Sequence, residues 1–352
     1  MTTDVWIDLT NSPHIHYFSR LIEKLEKEGL EYILTARKFQ SLEDLINIYG
    51  YEYVSFGEHS STLSGKLVNS TNRIMELTKF ISRKENVPKV AVAKHSVELP
   101  RVSFGLNIPS IFVLDNETAV AQNKLTLPLV DELICPIGTK NKLDVIQKNK
   151  NISYFDINSI LSFEGTCEVA NINSRSKSDK YPIDNAILYE LGIDTELPTI
   201  VLRSCPNSSY CTGKTDLLPK IIEELLDKIG CNLVVFPRTR KQREIYSKYD
   251  NIIIPKTIDA LSLLHFSNMM IGAGGTMNRE AAVMGIPTIS CYPETLLGVD
   301  EYLTEKGYMV HTTDLSEIID YAITNIGVKN KVADLEDPTE LMFQKICEKM
   351  SR

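Results

Sequence analysis

The amino-acid sequence predicts an α/β fold built from two Rossmann-like domains whose parallel sheets face a cleft. Short runs rich in β-branched residues alternate with longer amphipathic segments along most of the chain, which is typical of parallel sheets covered by helices. The alternation stops at a polar, serine-rich stretch after residue 170 and then starts again. A chain of 352 residues is long enough for two domains of roughly 150–200 residues each.

The first domain is predicted over residues 1–170. Both domains share one pattern, in which a strand is followed by a helix. A strand over residues 5–9 leads into an amphipathic helix, which Gly29 ends. The apolar residues of that helix recur at i, i+3, i+4 and i+7, so they share one face: Phe18, Leu21, Ile22 and Leu25. Further strands of this domain are expected over residues 32–35, 53–56, 89–93, 110–114 and 132–135.

The second domain is predicted over residues 184–352, after a linker over residues 171–183. The last helix of the chain is a candidate to pack back on the first domain. Strands of the second domain are expected over residues 199–202, 232–236, 252–254, 269–271 and 287–291.

Composition and charge exclude several classes of function. A formal net charge of −8 argues against nucleic acid as a partner. The seven cysteines are scattered without a C-x-x-C pair, so they predict reduced thiols rather than a metal site or a disulfide framework. The chain begins without a leader pattern, and no apolar run approaches the about 20 residues that span a bilayer. These features predict a cytoplasmic protein.

Titratable residues follow most of the predicted strands. In parallel sheets, ligands bind beyond the carboxyl ends of the strands, so these residues are candidates for a functional site. Each one taken alone also fits a helix cap or a packing residue. The candidates for acid–base chemistry are His14, His16, His95, Asp115 and Glu117, and the candidates for binding an anion are Arg203 and Arg238.

The segment Gly272-Ala-Gly-Gly-Thr-Met-Asn-Arg-Glu280 follows a predicted strand and precedes a predicted helix. We expect its glycines to adopt positive φ angles and to remove Cβ atoms where a ligand approaches the backbone. The helix begins after an N-cap at Gly275 or Thr276, and its first N–H groups favour an anion such as a diphosphate. Glu280 is expected in the first turn, where its carboxylate can either assist the cap or accept two hydrogen bonds from a vicinal diol. The spacing differs from G-x-G-x-x-G, which argues against a nicotinamide dehydrogenase. The alternative is a tight turn that binds no ligand.

These residues resemble a known group of enzymes. Gly274-Gly-Thr276, Glu280-Ala-Ala282 and Gly285-Ile-Pro287 are similar to the nucleotide-sugar segment of GT-B-fold enzymes, which include MurG-type N-acetylglucosaminyltransferases and non-hydrolysing UDP-GlcNAc 2-epimerases. The whole chain resembles an archaeal and bacterial domain-of-unknown-function family with that fold. Its other landmarks are Asp8-Leu-Thr-Asn-Ser-Pro-His-Ile-His16, Thr35-Ala-Arg37, Arg203, Pro237-Arg238-Thr239 and Val299-Asp300.

The resemblance implies that the second domain binds a nucleoside diphosphate sugar. The Gly274–Thr276 backbone would lie at the diphosphate and Glu280 at the ribose hydroxyls. GT-B enzymes typically need no metal, so the resemblance implies no metal and no cofactor, with Arg203 and Arg238 stabilising the diphosphate. The full predicted nucleotide-sugar set is Asn11, Arg203, Arg238, Gly272, Gly274, Gly275, Thr276, Asn278, Arg279 and Glu280.

The sequence leaves three functions open. The first is a sugar transferase of cell-envelope or surface glycan assembly, in which one of the candidate bases deprotonates an acceptor hydroxyl. The second is a nucleotide-sugar 2-epimerase, and the third is a non-catalytic nucleotide-sugar-binding protein. The chain departs from both enzyme groups, because it lacks the glycine-rich first loop of the transferases and the His-x-Glu-Ala-Gly-x-Arg segment of the epimerases.

The acceptor and the oligomeric state are not identified by the sequence. An apolar stripe formed by Ile74, Leu77, Phe80 and Ile81 has basic residues on both sides. This pattern fits a peripheral contact with the inner face of a membrane that presents a lipid-linked acceptor, or else an ordinary core face with a solvated rim. The second interpretation is the commoner one.

Overall fold

The computed structural model describes residues 3–177, 181–205, 216–256 and 258–351, and the chain divides into two compact units. Unit 1 consists of Met1–Ser174 and Leu335–Arg352, and unit 2 consists of Arg175–Asp334. The predicted linker therefore differs from the structure in one respect. Its first residues belong to a helix, and one of them, Arg175, is buried and forms an ion pair with Asp259. Residues 178–180 of the predicted linker lie outside the described residues, as does Cys211.

Unit 1 contains a seven-stranded parallel sheet with the strand order β3-β2-β1-β4-β5-β6-β7. Its strands are β1 (Val5–Leu9), β2 (Tyr32–Lys38), β3 (Val54–Glu58), β4 (Val90–Lys94), β5 (Ser110–Val113), β6 (Glu132–Pro136) and β7 (Leu161–Phe163). The helices that connect and follow them are α1 (Pro13–Lys27), α2 (Gln40–Ile48), α3 (Leu63–Ile81), α4 (Glu98–Gly105), α5 (Val120–Thr126), α6 (Ile137–Lys150) and α7 (Glu168–Ser176).

Unit 2 contains a six-stranded parallel sheet with the strand order β10-β9-β8-β11-β12-β13. Its strands are β8 (Thr199–Arg203), β9 (Asn232–Phe236), β10 (Ile252–Ile253), β11 (Met269–Gly272), β12 (Thr288–Ser290) and β13 (Val310–His311). Its helices are α8 (Ala186–Glu190), α9 (Leu218–Lys228), α10 (Arg240–Tyr246), α11 (Ala260–Phe266), α12 (Thr276–Val283), α13 (Gly298–Glu305) and α14 (Leu315–Asn325).

The C-terminal helix α15 (Pro338–Met350) belongs to unit 1. Met342 and Ile346 are fully buried, and the Tyr17 hydroxyl of α1 donates a hydrogen bond to the Met342 sulfur at 3.4 Å. An ion pair of 2.9 Å joins Lys349 to Glu132 at the start of β6. The helix is thus attached both through its apolar face and through its last turn.

The cores follow from the apolar periodicity of the sequence. Strand β1 is buried along its whole length, as expected for a central strand that is covered on both faces. The predicted apolar face of α1 is buried as well. On α3, Leu77 and Ile81 are fully buried, and Ile74 and Phe80 pack against the same core. The apolar stripe is therefore a core face.

The predicted α/β fold class with two Rossmann-like parallel sheets is confirmed. Two strands were not predicted, because β7 and β13 have only three and two residues and lie at the edges of their sheets. Such short strands take their structure from the neighbour with which they pair. Among the residues that the structure describes, no helix is long and apolar enough to cross a membrane.

Candidate functional site

The glycine segment of unit 2 forms the turn between β11 and α12. Strand β11 ends at Gly272, and the helix begins at Thr276 with Gly275 as an N-cap that makes no side-chain hydrogen bond. The Asn278 side chain closes the turn, because its Nδ2 donates a hydrogen bond of 2.7 Å to the Gly272 carbonyl oxygen. Asn278 is 1% exposed, so its role in this structure is to hold the turn rather than to reach solvent.

The three glycines of this turn do not adopt the positive φ angles that we expected. Gly272, Gly274 and Gly275 all lie outside the left-handed region, and the φ of Gly275 is −79°. Glycine is needed for space instead. A Cβ on Gly272 would lie 2.5 Å from Asn278 Oδ1, one on Gly274 would overlap Arg238 Nη2, and one on Gly275 would lie 2.8 Å from Arg279 Nη2. Polar side chains therefore occupy the positions of the missing Cβ atoms.

Two arginines lie beside this turn, at the carboxyl ends of neighbouring strands. Arg203 ends β8 and pairs in register with Phe236, the last residue of β9, two residues before Arg238. Burial and then the charge of Arg238 lower the pKa of Arg203 to about 9. No acidic side chain forms an ion pair with Arg203 in the described part of the chain. Two guanidinium groups held side by side in this way indicate a site for an anion.

The start of α10 fixes the position of Arg238. The Thr239 hydroxyl and the Gln242 side chain form a capping box, and Gln242 Oε1 also accepts the Arg238 backbone N–H at 3.0 Å. The Arg238 Nε donates to the Ser204 carbonyl oxygen at 3.1 Å. Arg238 is thus held at both its backbone and its side chain, close to Gly274.

Arg279 and Glu280 occupy positions different from those expected. The Arg279 guanidinium binds the Asp300 carboxylate of α13 through two hydrogen bonds, of 2.6 and 3.0 Å, and both side chains are buried. Arg279 therefore joins two helices beside the turn. Because α12 begins at Thr276, Glu280 is its fifth residue and lies in the second turn rather than the first. Glu280 is 4% exposed.

The strand ends of unit 1 bring together a second group of titratable side chains. The Asp115 carboxylate, just after β5, lies 2.6 Å from Lys94 Nζ and 2.5 Å from His95 Nε2. Burial of Lys94 lowers its pKa, but the charges of Asp115, Cys167 and Glu168 and the hydrogen bond to Asp115 together outweigh burial and raise the pKa above its ordinary value. His95 has a φ of +52°, an uncommon backbone conformation for a residue other than glycine. Constrained backbone of this kind is concentrated at functional sites.

His14, the second residue of α1, lies near this group as a neutral side chain. Burial, followed by the charges of Lys94 and His95, holds its pKa well below the ordinary value. Its Nδ1 accepts the Thr10 backbone N–H at 3.3 Å, which assigns the proton of the neutral ring to Nε2. In this form the free ring nitrogen of His14 is a hydrogen-bond donor. The geometry therefore does not favour His14 as a general base.

The remaining candidates of unit 1 lie elsewhere. His16 Nδ1 forms a hydrogen bond of 2.6 Å with the Tyr49 hydroxyl, so this ring packs between α1 and α2. Glu117 is fully buried, and its charge adds to the effect of burial in raising the pKa of Cys135. Asn11 is exposed at the start of α1, and its carbonyl oxygen accepts the His14 N–H. The cluster that forms is Lys94, His95, Asp115 and His14, of which Lys94 was not among the predicted site residues.

A buried ionic network supports the strand ends of unit 1. Arg73 of α3 donates to both oxygens of Asp8, at 2.6 and 3.0 Å, and to Glu98 at 3.1 Å. Thr35 and Ser96 also donate to Asp8, each at 2.6 Å. Asp8 is therefore a structural residue that connects β1, β2 and the segment after β4. The described residues include no group of three His, Cys, Asp or Glu side chains placed to hold a metal ion.

Comparison with known proteins identifies the family. The chain belongs to DUF354, a family of proteins of unknown function whose model matches residues 3–351. An uncharacterised protein of Methanocaldococcus jannaschii is 59% identical over 345 residues, which are 98% of each chain.

Solved structures share the fold at low sequence identity. The S. aureus protein MnaA in complex with UDP has a TM-score of 0.74 and 15% identity, covering 99% of this chain and 97% of that one. The UDP-GlcNAc 2-epimerase of M. jannaschii with UDP-GlcNAc and UDP has a TM-score of 0.71 and 15% identity, covering 98% and 100%. A spinosyn rhamnosyltransferase with spinosyn aglycone has a TM-score of 0.56 and 13% identity, covering 99% and 96%. The GT-B-like fold expected from the resemblance is confirmed.

Proposed function

We propose that this protein is an enzyme that uses a nucleoside diphosphate sugar, and that unit 2 binds the diphosphate. The observation that carries the proposal is the pair Arg203 and Arg238 beside the Gly274 turn. The fold neighbours that were solved with UDP or UDP-GlcNAc support a uridine nucleotide. Glu280 is our candidate for the ribose hydroxyls.

The chemistry of unit 2 follows from its charges. When a sugar leaves a nucleoside diphosphate, negative charge builds up on the diphosphate oxygens. The Arg203 and Arg238 guanidinium groups and the first N–H groups of α12 are hydrogen-bond donors held in place before the reaction, so they stabilise that charge without reorganising. We propose that these groups act without a metal ion.

Glycosyl transfer is the reaction that we favour. His95 Nε2 contacts the Asp115 carboxylate at 2.5 Å and also accepts the Asp115 backbone N–H at 3.1 Å, so Asp115 fixes the position of the His95 ring. The His95 imidazole would take the proton of an acceptor hydroxyl as that oxygen bonds to the anomeric carbon. The bond from that carbon to the diphosphate breaks, and its electron pair leaves on the diphosphate. The Asp115 carboxylate, which also forms an ion pair with Lys94, stabilises the imidazolium that forms.

Calorimetric titration with UDP tests the binding step. We expect wild-type protein to bind UDP and Arg238→Met to bind it about tenfold or more weakly, since a charge-assisted hydrogen bond contributes about 1.5–3 kcal/mol. Arg240→Met is the matched control, because Arg240 is exposed on the neighbouring helix. Equal affinities of the wild-type protein and Arg238→Met would remove the basis of the proposal.

Turnover tests the reaction step. With a UDP-sugar and an acceptor, His95→Asn should lower kcat by about 10²–10⁴-fold and leave UDP affinity unchanged. A His95→Asn variant with wild-type kcat would show that the base is another residue.

Epimerisation at C2 of the sugar is the second candidate, because several fold neighbours are UDP-GlcNAc 2-epimerases and because a carboxylate, Asp115, lies at the cluster in unit 1. Incubation with UDP-GlcNAc in D₂O without an acceptor separates the two reactions. Deuterium at C2 supports epimerisation, and its absence together with acceptor-dependent release of UDP supports transfer. UDP binding without turnover of any sugar nucleotide would instead indicate a binding protein.

A further inference from the structure

Arg37 of β2 is a cation without a partner among the described residues of unit 1. Its side chain is half-buried, its Nε atom is buried without a hydrogen bond, and the guanidinium forms no ion pair with any described residue. The two carboxylates whose charges act on Arg37, those of Glu98 and Asp8, already accept hydrogen bonds from Arg73. They offset the charge of Arg37 from a distance but accept none of its five N–H groups. A buried donor without an acceptor is costly, so an acceptor from outside the chain is expected here.

Thr10 and His14 supply two more unpaired donors next to Arg37. Thr10 is 2% exposed, and its Oγ1 has no hydrogen-bond partner. Leu9 pairs with Ala36 in the parallel sheet, so Thr10 and Arg37 occupy the next position along the two neighbouring strands. The hydrogen bond of the His14 ring to the backbone involves Nδ1, which accepts the Thr10 N–H. The Nε2–H of the ring has no partner among the described residues.

The surroundings of these three donors are also positive. Helix α1 begins at Pro13, its N-cap makes no side-chain hydrogen bond, and its first turn contains no acidic residue. The positive end of its dipole is therefore not compensated by a side chain within that turn. Lys94, His95 and Arg37 lie close enough to His14 for their charges to disfavour its protonation, and Asp115 is paired with Lys94.

We propose that Thr10, His14 and Arg37 form a second anion-binding site, in unit 1, which holds a phosphate or carboxylate group of the acceptor. Only the statement that the bound anion belongs to the acceptor rests on the proposed function. It gives His14 the role of a neutral hydrogen-bond donor to an oxyanion, and it makes Arg37 the residue that selects for negative charge. An anionic acceptor then distinguishes this protein from transferases that act on neutral alcohols.

The experiment isolates unit 1 by disabling the anion site of unit 2. Inorganic pyrophosphate and, separately, malonate are titrated by calorimetry into the double variant Arg203→Met/Arg238→Met. We expect one binding event, which Arg37→Met weakens by about tenfold or more and Thr10→Val by about threefold or more. Arg37→Lys keeps the positive charge but loses the planar guanidinium, so its affinity for the anion should lie between those of the double variant and of Arg37→Met. Preference for pyrophosphate indicates a phosphate group on the acceptor, and preference for malonate indicates a carboxylate.

Lys38→Met is the matched control for net charge, because Lys38 is the next residue of β2 and is exposed. It should bind the anion as the double variant does. The inference is overturned if the double variant binds neither anion, if Arg37→Met binds as tightly as its parent while its circular dichroism is unchanged, or if Lys38→Met loses as much affinity as Arg37→Met. Failure of wild-type protein to bind UDP would refute the proposed function, but Arg37-dependent binding of pyrophosphate would still establish this site.

Discussion

Gly274→Ala is the substitution that tests the geometry of the nucleotide site most directly. A Cβ at this position would overlap Arg238 Nη2 and lie 3.5 Å from Arg203 Cγ. The overlapping atom is the far end of the Arg238 side chain, beyond the Nε that the Ser204 carbonyl oxygen holds, so this end shifts at little cost to folding. The backbone of Gly274 lies outside the left-handed region, so alanine is also tolerated there. We therefore expect a loss of binding with almost no loss of stability.

The magnitude follows from the hydrogen bonds that Arg238 would give to a diphosphate. Displacing one guanidinium from an ionised phosphate removes about 1.5–3 kcal/mol, which raises the Kd for UDP by about 10- to 150-fold. The free energy of unfolding should change by less than about 1 kcal/mol, because alanine also reduces the entropy of the unfolded chain.

Calorimetry with UDP and thermal unfolding of the same samples provide the measurement. Gly230→Ala is the matched control: it lies in unit 2, its φ is not left-handed, and a Cβ there meets no atom within 4 Å. Its Kd for UDP should equal that of the wild-type protein, and its free energy of unfolding should rise by no more than about 1 kcal/mol, through the same entropy effect. A Gly274→Ala variant that binds UDP as tightly as wild type would refute the assignment of the Arg238 position to the diphosphate.

Three other expectations concern the charged residues. Arg73→Met should destabilise unit 1 by about 3–5 kcal/mol in chemical denaturation, because it leaves Asp8 as a buried, uncompensated charge, and adding Asp8→Asn should restore part of the loss. His14 should stay neutral to well below pH 6.5 in long-range ¹H–¹⁵N spectra, since its folded-state pKa is lowered. Below pH 6.5 the unfolded chain takes up a proton that the folded chain does not, so the free energy of unfolding should fall as the pH is lowered. The fall should be steeper for wild-type protein than for His14→Asn, by up to about 1.4 kcal/mol per pH unit. The affinity for 3-methyluridine diphosphate should decrease above pH 9, because the Arg203 cation, whose pKa is about 9, is lost there. This ligand is chosen because its base has no ionisable N3–H. Arg238→Met removes a neighbouring positive charge, so it should move the decrease to higher pH.

The strand ends could be located from the sequence, but the role of each side chain at those ends could not be assigned from it. The apolar face of α1 and the buried strand β1 follow from local periodicity, which operates within one element. The ion pairs of Asp8 with Arg73 and of Arg279 with Asp300 join residues 65 and 21 positions apart, and no local pattern encodes such pairing. Lys94 was visible at a strand end, but only its contact with Asp115 shows that it belongs to the cluster of unit 1.

The glycine turn shows how one sequence signal has two physical meanings. A glycine cluster before a helix predicts either left-handed backbone or close approach of a ligand, and sequence alone does not separate these alternatives. In the folded chain, the space at Gly272 and Gly275 is filled by the protein's own Asn278 and Arg279, which close and brace the turn. At Gly274 the space is used by Arg238, which lies beside the half-buried Arg203, whereas the Arg279 cation at Gly275 is already paired with Asp300. Gly274 is therefore the glycine whose substitution should change binding, whereas substitution of Gly272 should mainly change stability.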